Sequence, residues 1–177
     1  MNQIGIKTAP GYDNPLEMLR ACHERILDQC NTLHKLVQHL VEHGNDLQAR
    51  QAAQAILRYF DTAGKFHHQD EEINLFPQMM AGKDKQVVKL VAHLLHDHQE
   101  MNSAWSDIQP LLLALVEGQP LYLDKHQVTQ FTLAYQRHIA LENDQLLPLA
   151  ARMLNPQQMH DIAVEMAARR GVNLSAD

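Results

Sequence analysis

Long stretches of this sequence carry apolar residues at intervals of three and four, and few residues interrupt them. The first stripe, apolar apart from one histidine, consists of Leu16, Leu19, His23, Ile26, Cys30, Leu33, Val37 and Leu40. Such spacing places side chains on one face of an α-helix, which then packs against a core. The 177 residues include only seven glycines and seven prolines. The pattern therefore predicts an almost wholly helical chain.

Capping signals and breakers divide the chain into five predicted helices. We expect them at about 14–43, 46–76, 85–117, 124–147 and 156–170. Asn14 before Pro15 is typical of a helix start, and Gly44 is typical of a helix end. We expect Pro77 and Pro148 to break or kink the second and fourth helices, because proline lacks the amide proton that a helix interior needs. Pro110 is expected to bend the third helix.

Four long helices with short connections favour an all-α fold, an antiparallel up-down-up-down four-helix bundle with a short C-terminal fifth helix. We expect a single domain over residues 1–177, with the bundle core at about 14–154. The C-terminal helix, at about 156–170, is expected to act as a packing cap.

Charge and hydropathy exclude several classes of function. The formal net charge is −6, which disfavours non-specific nucleic-acid binding. The longest apolar run, residues 111–116, is far too short to span a membrane, and residues 1–14 contain no signal-peptide stretch. Only Cys22 and Cys30 are present, and their spacing on one helix is too wide for a disulfide. We expect a reduced, cytoplasmic protein with no nucleic-acid or membrane partner.

Two segments of the chain repeat one pattern of chemistry-bearing residues. His, Glu, Leu and Pro recur at offsets 0, 4, 8 and 10 in residues 67–77 and again in residues 138–148. One segment lies towards the end of the second predicted helix and the other towards the end of the fourth. The chain therefore resembles a duplicated helix pair.

The His and Glu of each segment fall on an otherwise apolar helix face. The two stripes are Ile56, Phe60, Ala63, His67, Glu71 and Leu75, and Phe131, Ala134, His138, Glu142 and Leu146. A carboxylate on a core face is costly unless a cation or hydrogen bonds satisfy it. Two such carboxylates, each one turn from an imidazole, predict a metal site.

The first and third helices each add an inward histidine. His23 lies on the first stripe, and His98 lies on the stripe Val91, Leu94, His98, Met101, Trp105, Ile108 and Leu112. Four imidazoles and two carboxylates that can bridge suit a two-metal site in a bundle core. The candidate metal ligands are thus His23, His67, Glu71, His98, His138 and Glu142.

The remaining histidines, among 12 in the chain, have simpler interpretations. His68 and Glu72 lie one position round the helix, so we place them beside the site or on the surface. His39 and His43 are expected to cap a helix end. The surface or packing histidines are His34, His93, His96, His126 and His160.

The constellation resembles the hemerythrin-like family with its HHE cation-binding domain. The resemblance rests on His23 in Ala-Cys-His-Glu-Arg, on the two His-x-x-x-Glu segments followed by Leu-x-Pro, and on Asp97-His98; it spans about residues 14–154. It implies an antiparallel four-helix bundle that holds two non-haem iron ions. By this resemblance Glu71 and Glu142 match the bridging carboxylates, and the four histidines match the terminal ligands.

One position departs from the oxygen carriers of the family. Those proteins have two histidines one turn apart on the third helix, whereas here Leu94 and Asn102 flank His98 at that spacing. The resemblance thus implies a more open site, suited to O2, peroxide or nitric oxide reactivity. We expect the Asn102 side chain to lean towards the metals.

Two alternatives remain open from the sequence. One is an iron-binding module that senses metal or redox state without turnover. The other is a helical bundle stabilised by zinc, since imidazole and carboxylate ligands also serve zinc, and manganese is possible. The sequence identifies neither an enzymatic reaction nor a protein partner.

Overall fold

The computed structural model describes Gly11 and residues 14–174, and over these residues the chain forms five helices and no strands. We number them α1 (Pro15–His43), α2 (residues 47–80), α3 (Lys85–Val116), α4 (residues 125–153) and α5 (Pro156–Arg169). The expected all-α class is confirmed. No helix within the described part of the chain is long and apolar enough to cross a membrane.

The helix ends follow the capping signals of the sequence. The Asn14 side chain accepts a hydrogen bond from the backbone N–H of Glu17 (3.2 Å), and Gly44, at φ 68°, donates its N–H to the Leu40 carbonyl. Asn155 and Gln158 form a reciprocal capping box at the start of α5. These contacts satisfy backbone groups that a helix end leaves unpaired.

The four long helices contact one another in a closed ring. α1 packs against α2 and α4, and α3 packs against the same two helices. This neighbour order is compatible with the expected up-down-up-down bundle. α5 lies against α1 and α2.

The expected helix ends at about 76 and 147, next to Pro77 and Pro148, are wrong. Helix α2 continues through Pro77 to Met80, and α4 continues through Pro148 to Met153. A π-helical turn precedes each proline, at Asp70–Leu75 and Glu142–Leu146. A π-turn shifts the backbone bonds to residues five apart and widens the helix locally. This widening gives the proline ring room in these two helices. Helix α3 likewise runs past Pro110.

A further π-turn, Phe60–Gly64, changes which side chains of α2 face inward. The stripe drawn from uniform helical spacing placed Ala63 in the core. The structure instead buries Gly64 and leaves Ala63 half-buried, and it buries both His67 and His68. One extra residue in a turn rotates the residues that follow by about 100° relative to an unbroken α-helix, which accounts for the shift.

The core consists of two apolar clusters. One cluster includes Ile26, Phe60 and Met101, and the other includes Leu19, Leu75 and Leu94. In sequence, the inward histidines and glutamates of α1, α2 and α3 fall between the residues of the two clusters. On α4, Glu142 falls between them and His138 directly precedes Ile139, the last residue of the first cluster on that helix. The fold therefore holds one buried polar layer between two apolar ones.

Helix α5 is joined to the π-turn Asp70–Leu75 by two arginines. Both carboxylate oxygens of the fully buried Asp70 are engaged, Oδ1 by Arg169 and Oδ2 by Arg170 at 2.6 Å. Arg169 also donates to Asn74 Oδ1 at 2.8 Å. The sequence predicted a packing cap, and these contacts show that α5 also clamps the turn next to Glu71.

Removing both arginines should destabilise the fold. We expect Arg169→Ala with Arg170→Ala to lower the free energy of unfolding by about 3 kcal/mol, because the Asp70 carboxylate would stay buried without a cation. Urea unfolding followed by circular dichroism measures this. The control is Arg152→Ala, an exposed residue of α4. Equal losses in the two proteins would contradict the clamp.

Candidate metal centre

The structure brings the six candidate side chains together in the polar layer. His23 comes from α1, His67 and Glu71 from α2, His98 from α3, and the remaining pair, His138 and Glu142, from α4. Each is at most 1 % exposed. The four helices thus converge on one buried point, each with its own imidazole.

The donor atoms form two groups that share both glutamates. One group is His23, His67, Glu71 and Glu142, and the other is Glu71, His98, His138 and Glu142; within each group the donor atoms lie within 4.8 Å of one another. These are the distances over which four ligands can surround one metal ion. Two overlapping groups offer places for two ions.

Each glutamate turns one oxygen towards each group. Glu71 Oε1 lies 3.3 Å from His67 Nε2, and its Oε2 lies 3.3 Å from His98 Nε2. Glu142 Oε2 lies 3.0 Å from His23 Nε2, and its Oε1 lies 3.3 Å from His138 Nε2. A carboxylate with one oxygen on each side is positioned to bridge.

Three of the four imidazoles are oriented from behind by their Nδ1 atoms. His98 Nδ1 lies 2.7 Å from Glu72 Oε1, and His138 Nδ1 lies 3.2 Å from Asp97 Oδ2. His23 Nδ1 lies 2.8 Å from Asn143 Oδ1. An oxygen acceptor holds the proton on Nδ1 and leaves the Nε2 lone pair free for a metal.

These tautomers leave lone pairs facing each other in the layer. His98 Nε2 lies 3.0 Å from His138 Nε2, and when both rings are neutral with their protons on Nδ1, neither nitrogen can donate to the other. The four carboxylate oxygens of Glu71 and Glu142 have no hydrogen-bond partner among the described residues, although all are buried. Buried acceptors without donors are costly, and a cation between them removes that cost. The donor set therefore fits a metal ion.

The pKa values of two histidines in this layer show that the buried carboxylates favour positive charge beside them. Burial opposes protonation of His23, but the carboxylates of Glu142 and Glu71 outweigh it and raise its pKa to about 10. His98 is likewise raised to about 10, by Glu71 and Glu72 against burial. Burial dominates at His67 and lowers its pKa to about 4.

The two glutamates show the opposite shift. Burial disfavours their ionised forms, but the surrounding imidazoles hold the pKa of the Glu71 carboxyl well below its usual range. The pKa of Glu142 is also lowered, by His138 and His23 against burial and the charge of Glu71. Without a metal, protons on imidazoles thus supply the cationic charge that the carboxylates require.

Most of the residues that surround this layer could not be predicted from the sequence. His68 is only 7 % exposed and stacks on His98, with ring centroids 4.0 Å apart. The roles of Asp97 and Asn143 could not be read from spacing, because each supports a histidine on another helix. The one sequence signal for such supporting residues was an acidic or amide residue directly next to an inward ligand, as Glu72 is next to Glu71.

The remaining polar residues singled out in the sequence lie outside the metal centre. His39 Nε2 lies 2.9 Å from Asp46 Oδ1, next to the start of α2 and away from the polar layer. Asn102 is exposed and lines an open groove with His68 and Glu72. That the Asn102 side chain leans towards the metals stays a prediction. Cys22 and Cys30 are buried free thiols.

Comparison with known proteins agrees with this geometry. The profile of the hemerythrin HHE cation-binding domain matches residues 14–150, a span that includes all six candidate residues. A protein of Haemophilus influenzae, described as uncharacterized, is 32 % identical over 161 residues, covering 91 % of this chain and 92 % of the relative. The chain belongs to the hemerythrin HHE cation-binding domain family.

Proposed function

We propose that this protein binds two non-haem iron ions and that the bound pair reacts with O2, peroxide or nitric oxide. The observation that carries the proposal is the pair of buried glutamates, each with one unpartnered oxygen directed at each histidine group. In this assignment Glu71 and Glu142 bridge the ions. His23 and His67 complete one site, and His98 and His138 complete the other, in agreement with a family whose domain binds cations.

The charges around the layer support two divalent ions. Four carboxylates lie in or directly behind it: Glu71, Glu142, Glu72 and Asp97. Four negative charges balance two divalent cations, whereas with one ion protonated imidazoles would have to supply the remaining positive charge. Only Glu71 and Glu142 are fully buried, whereas Glu72 and Asp97 are partly exposed, so the cost of uncompensated charge falls mainly on the two glutamates.

The residues of the chain prepare the site for redox chemistry with small ligands. When bound, iron supplies one-electron changes between its ferrous and ferric forms and coordinates small exogenous ligands. Glu72, Asp97 and Asn143 hold three imidazoles in the orientation that ligation requires. The apolar clusters on either side limit bulk water, which strengthens electrostatic interactions within the layer.

We also propose the topology and setting in which this site operates. The short connections and the closed ring of helix contacts support a single domain with up-down-up-down order. The two unpaired cysteines support a reducing compartment, the cytoplasm.

An absorption spectrum with metal analysis tests the proposal. We expect two irons per chain and ferric absorption bands that disappear on reduction and change when peroxide or nitric oxide is added. A colourless protein that contains zinc would overturn the proposal in favour of a zinc-stabilised bundle. Bound iron that changes redox state but responds to neither ligand would favour the sensing alternative.

Neutralising either bridging glutamate should remove metal. We expect Glu71→Gln and Glu142→Gln each to weaken metal binding by at least roughly 100-fold, since even the loss of an outer partner of a ligand costs 10–100-fold. The melting temperature of the loaded protein should fall in parallel. Metal analysis after dialysis and thermal melts measure the two effects. His39→Ala and His43→Ala should retain full metal content; if they do not, the helix-face assignment is wrong.

Metal binding should release protons at neutral pH. His23 and His98 have pKa values of about 10 without metal, so at pH 7 both are protonated and must lose a proton to bind. Affinity should therefore rise as the pH increases towards 10 and fall on acidification. Anaerobic calorimetry with ferrous iron, in two buffers of different ionisation enthalpy, should detect roughly two protons released. Identical heats in both buffers would contradict these protonation states.

A further inference from the structure

An open groove adjoins the polar layer between α2, α3 and α4. Its volume is about 530 Å³, and its lining includes His68, Glu72, Asn102, Trp105 and Tyr135. That volume is many times the roughly 30 Å³ that a water molecule occupies in the liquid, so the groove is much larger than a diatomic gas needs. We call this groove, which is lined by both polar and apolar side chains, the vestibule.

His68 separates the groove from the metal centre. Its ring lines the groove and stacks on the His98 ring at an interplanar angle of 14°. Although the side chain is 93 % buried, its Nε2 has no hydrogen-bond partner. A buried imidazole nitrogen without a partner is costly. Because this nitrogen is closed to solvent, a ligand would become its partner only after moving from the groove into the protein.

The other polar groups of the vestibule leave donors for such a ligand. The Asp61 carboxylate is engaged by Trp105 Nε1 at 3.0 Å and by Gln109 Nε2 at 2.7 Å. Glu72 is engaged by His98. The ammonium of Lys65 and the amide of Asn102 complete the polar lining. The groove thus suits a ligand that exchanges hydrogen bonds.

We propose that this groove is the entrance to the metal centre and that His68 selects hydrogen-bonding ligands, peroxide in particular, over O2 and nitric oxide. The inference rests on the proposed di-iron function. A neutral imidazole offers one donor and one acceptor, and peroxide can use both. O2 and nitric oxide have no proton to donate and are poor acceptors. The His68 imidazole therefore stabilises them little through hydrogen bonds.

A second groove is the alternative entrance with which the vestibule can be compared. It has a volume of about 260 Å³ and borders Asp97, which supports His138. The described residues that line it, which include His93 and Arg137, are all exposed or half-buried. It therefore presents no unpartnered buried group to an incoming ligand.

The selectivity of His68 can be tested with azide and nitric oxide as probes of the iron-loaded protein. His68→Phe keeps a ring on His98 but removes the nitrogens. We expect the Kd of azide, an anionic acceptor, to rise about tenfold through loss of one hydrogen bond, and that of nitric oxide to change by less than about twofold. His68→Gln, which can still hydrogen-bond, should recover part of the azide affinity. Equal weakening of both probes would overturn the role of His68.

The entrance is tested by obstructing each groove in turn. Asn102→Trp places a bulky ring in the vestibule, and Arg137→Trp does the same in the second groove; both residues are exposed, so folding should be preserved. In stopped-flow absorbance, Asn102→Trp should slow azide association about tenfold, and Arg137→Trp should leave it unchanged. The reverse result, or equal slowing, would overturn the entrance.

Different results would contradict the proposed di-iron function and the proposed role of the vestibule. If the wild-type protein holds no iron, or holds iron that binds neither azide nor nitric oxide, the proposed function is wrong and the vestibule inference falls with it. If the wild-type protein binds both probes and the groove variants behave alike, only the vestibule inference is wrong.

Discussion

The burial of two carboxylates in the middle of a helical core is the constraint on which the rest of this structure depends. Glu71 and Glu142 are fully buried, and their oxygens receive no hydrogen bond from the described residues. Such groups are tolerated only beside positive charge. Four imidazoles surround them, and carboxylates or an amide support three of those imidazoles from behind. The apolar clusters on either side can close around the layer because charge balance is reached within it.

The backbone is irregular at both buried glutamates. Glu71 and Glu142 each lie within one, and in both turns the carbonyl of the glutamate accepts the bond from the residue just before the proline. In both copies the wider turn directly precedes a proline, and the helix continues past it. The same duplicated segment therefore supplies the candidate ligand, the irregular turn and the proline. Helix α5 adds a clamp to one copy only, through Asp70 and Asn74.

Much of the site was predictable because it follows helical periodicity. The stripe containing His23 is buried along its whole length, and the inward positions of His67, His98 and His138 follow from three- and four-residue spacing. The caps at Asn14 and Gly44 are local signals and were predicted accordingly. Uniform spacing failed at Ala63 and His68, because π-turns alter the helical phase and sequence spacing does not reveal them.

By itself, the sequence determined the all-α class, the duplicated segment and the set of buried imidazoles and carboxylates. These are properties of residue type and of short-range periodicity. Only the tertiary structure decided which oxygen of each glutamate faces which histidine group, that Asn143 supports His23 across 120 positions of the chain, and that His68 lines a groove. Such relations depend on how separate helices are rotated about their axes when they pack, and no local pattern encodes that rotation.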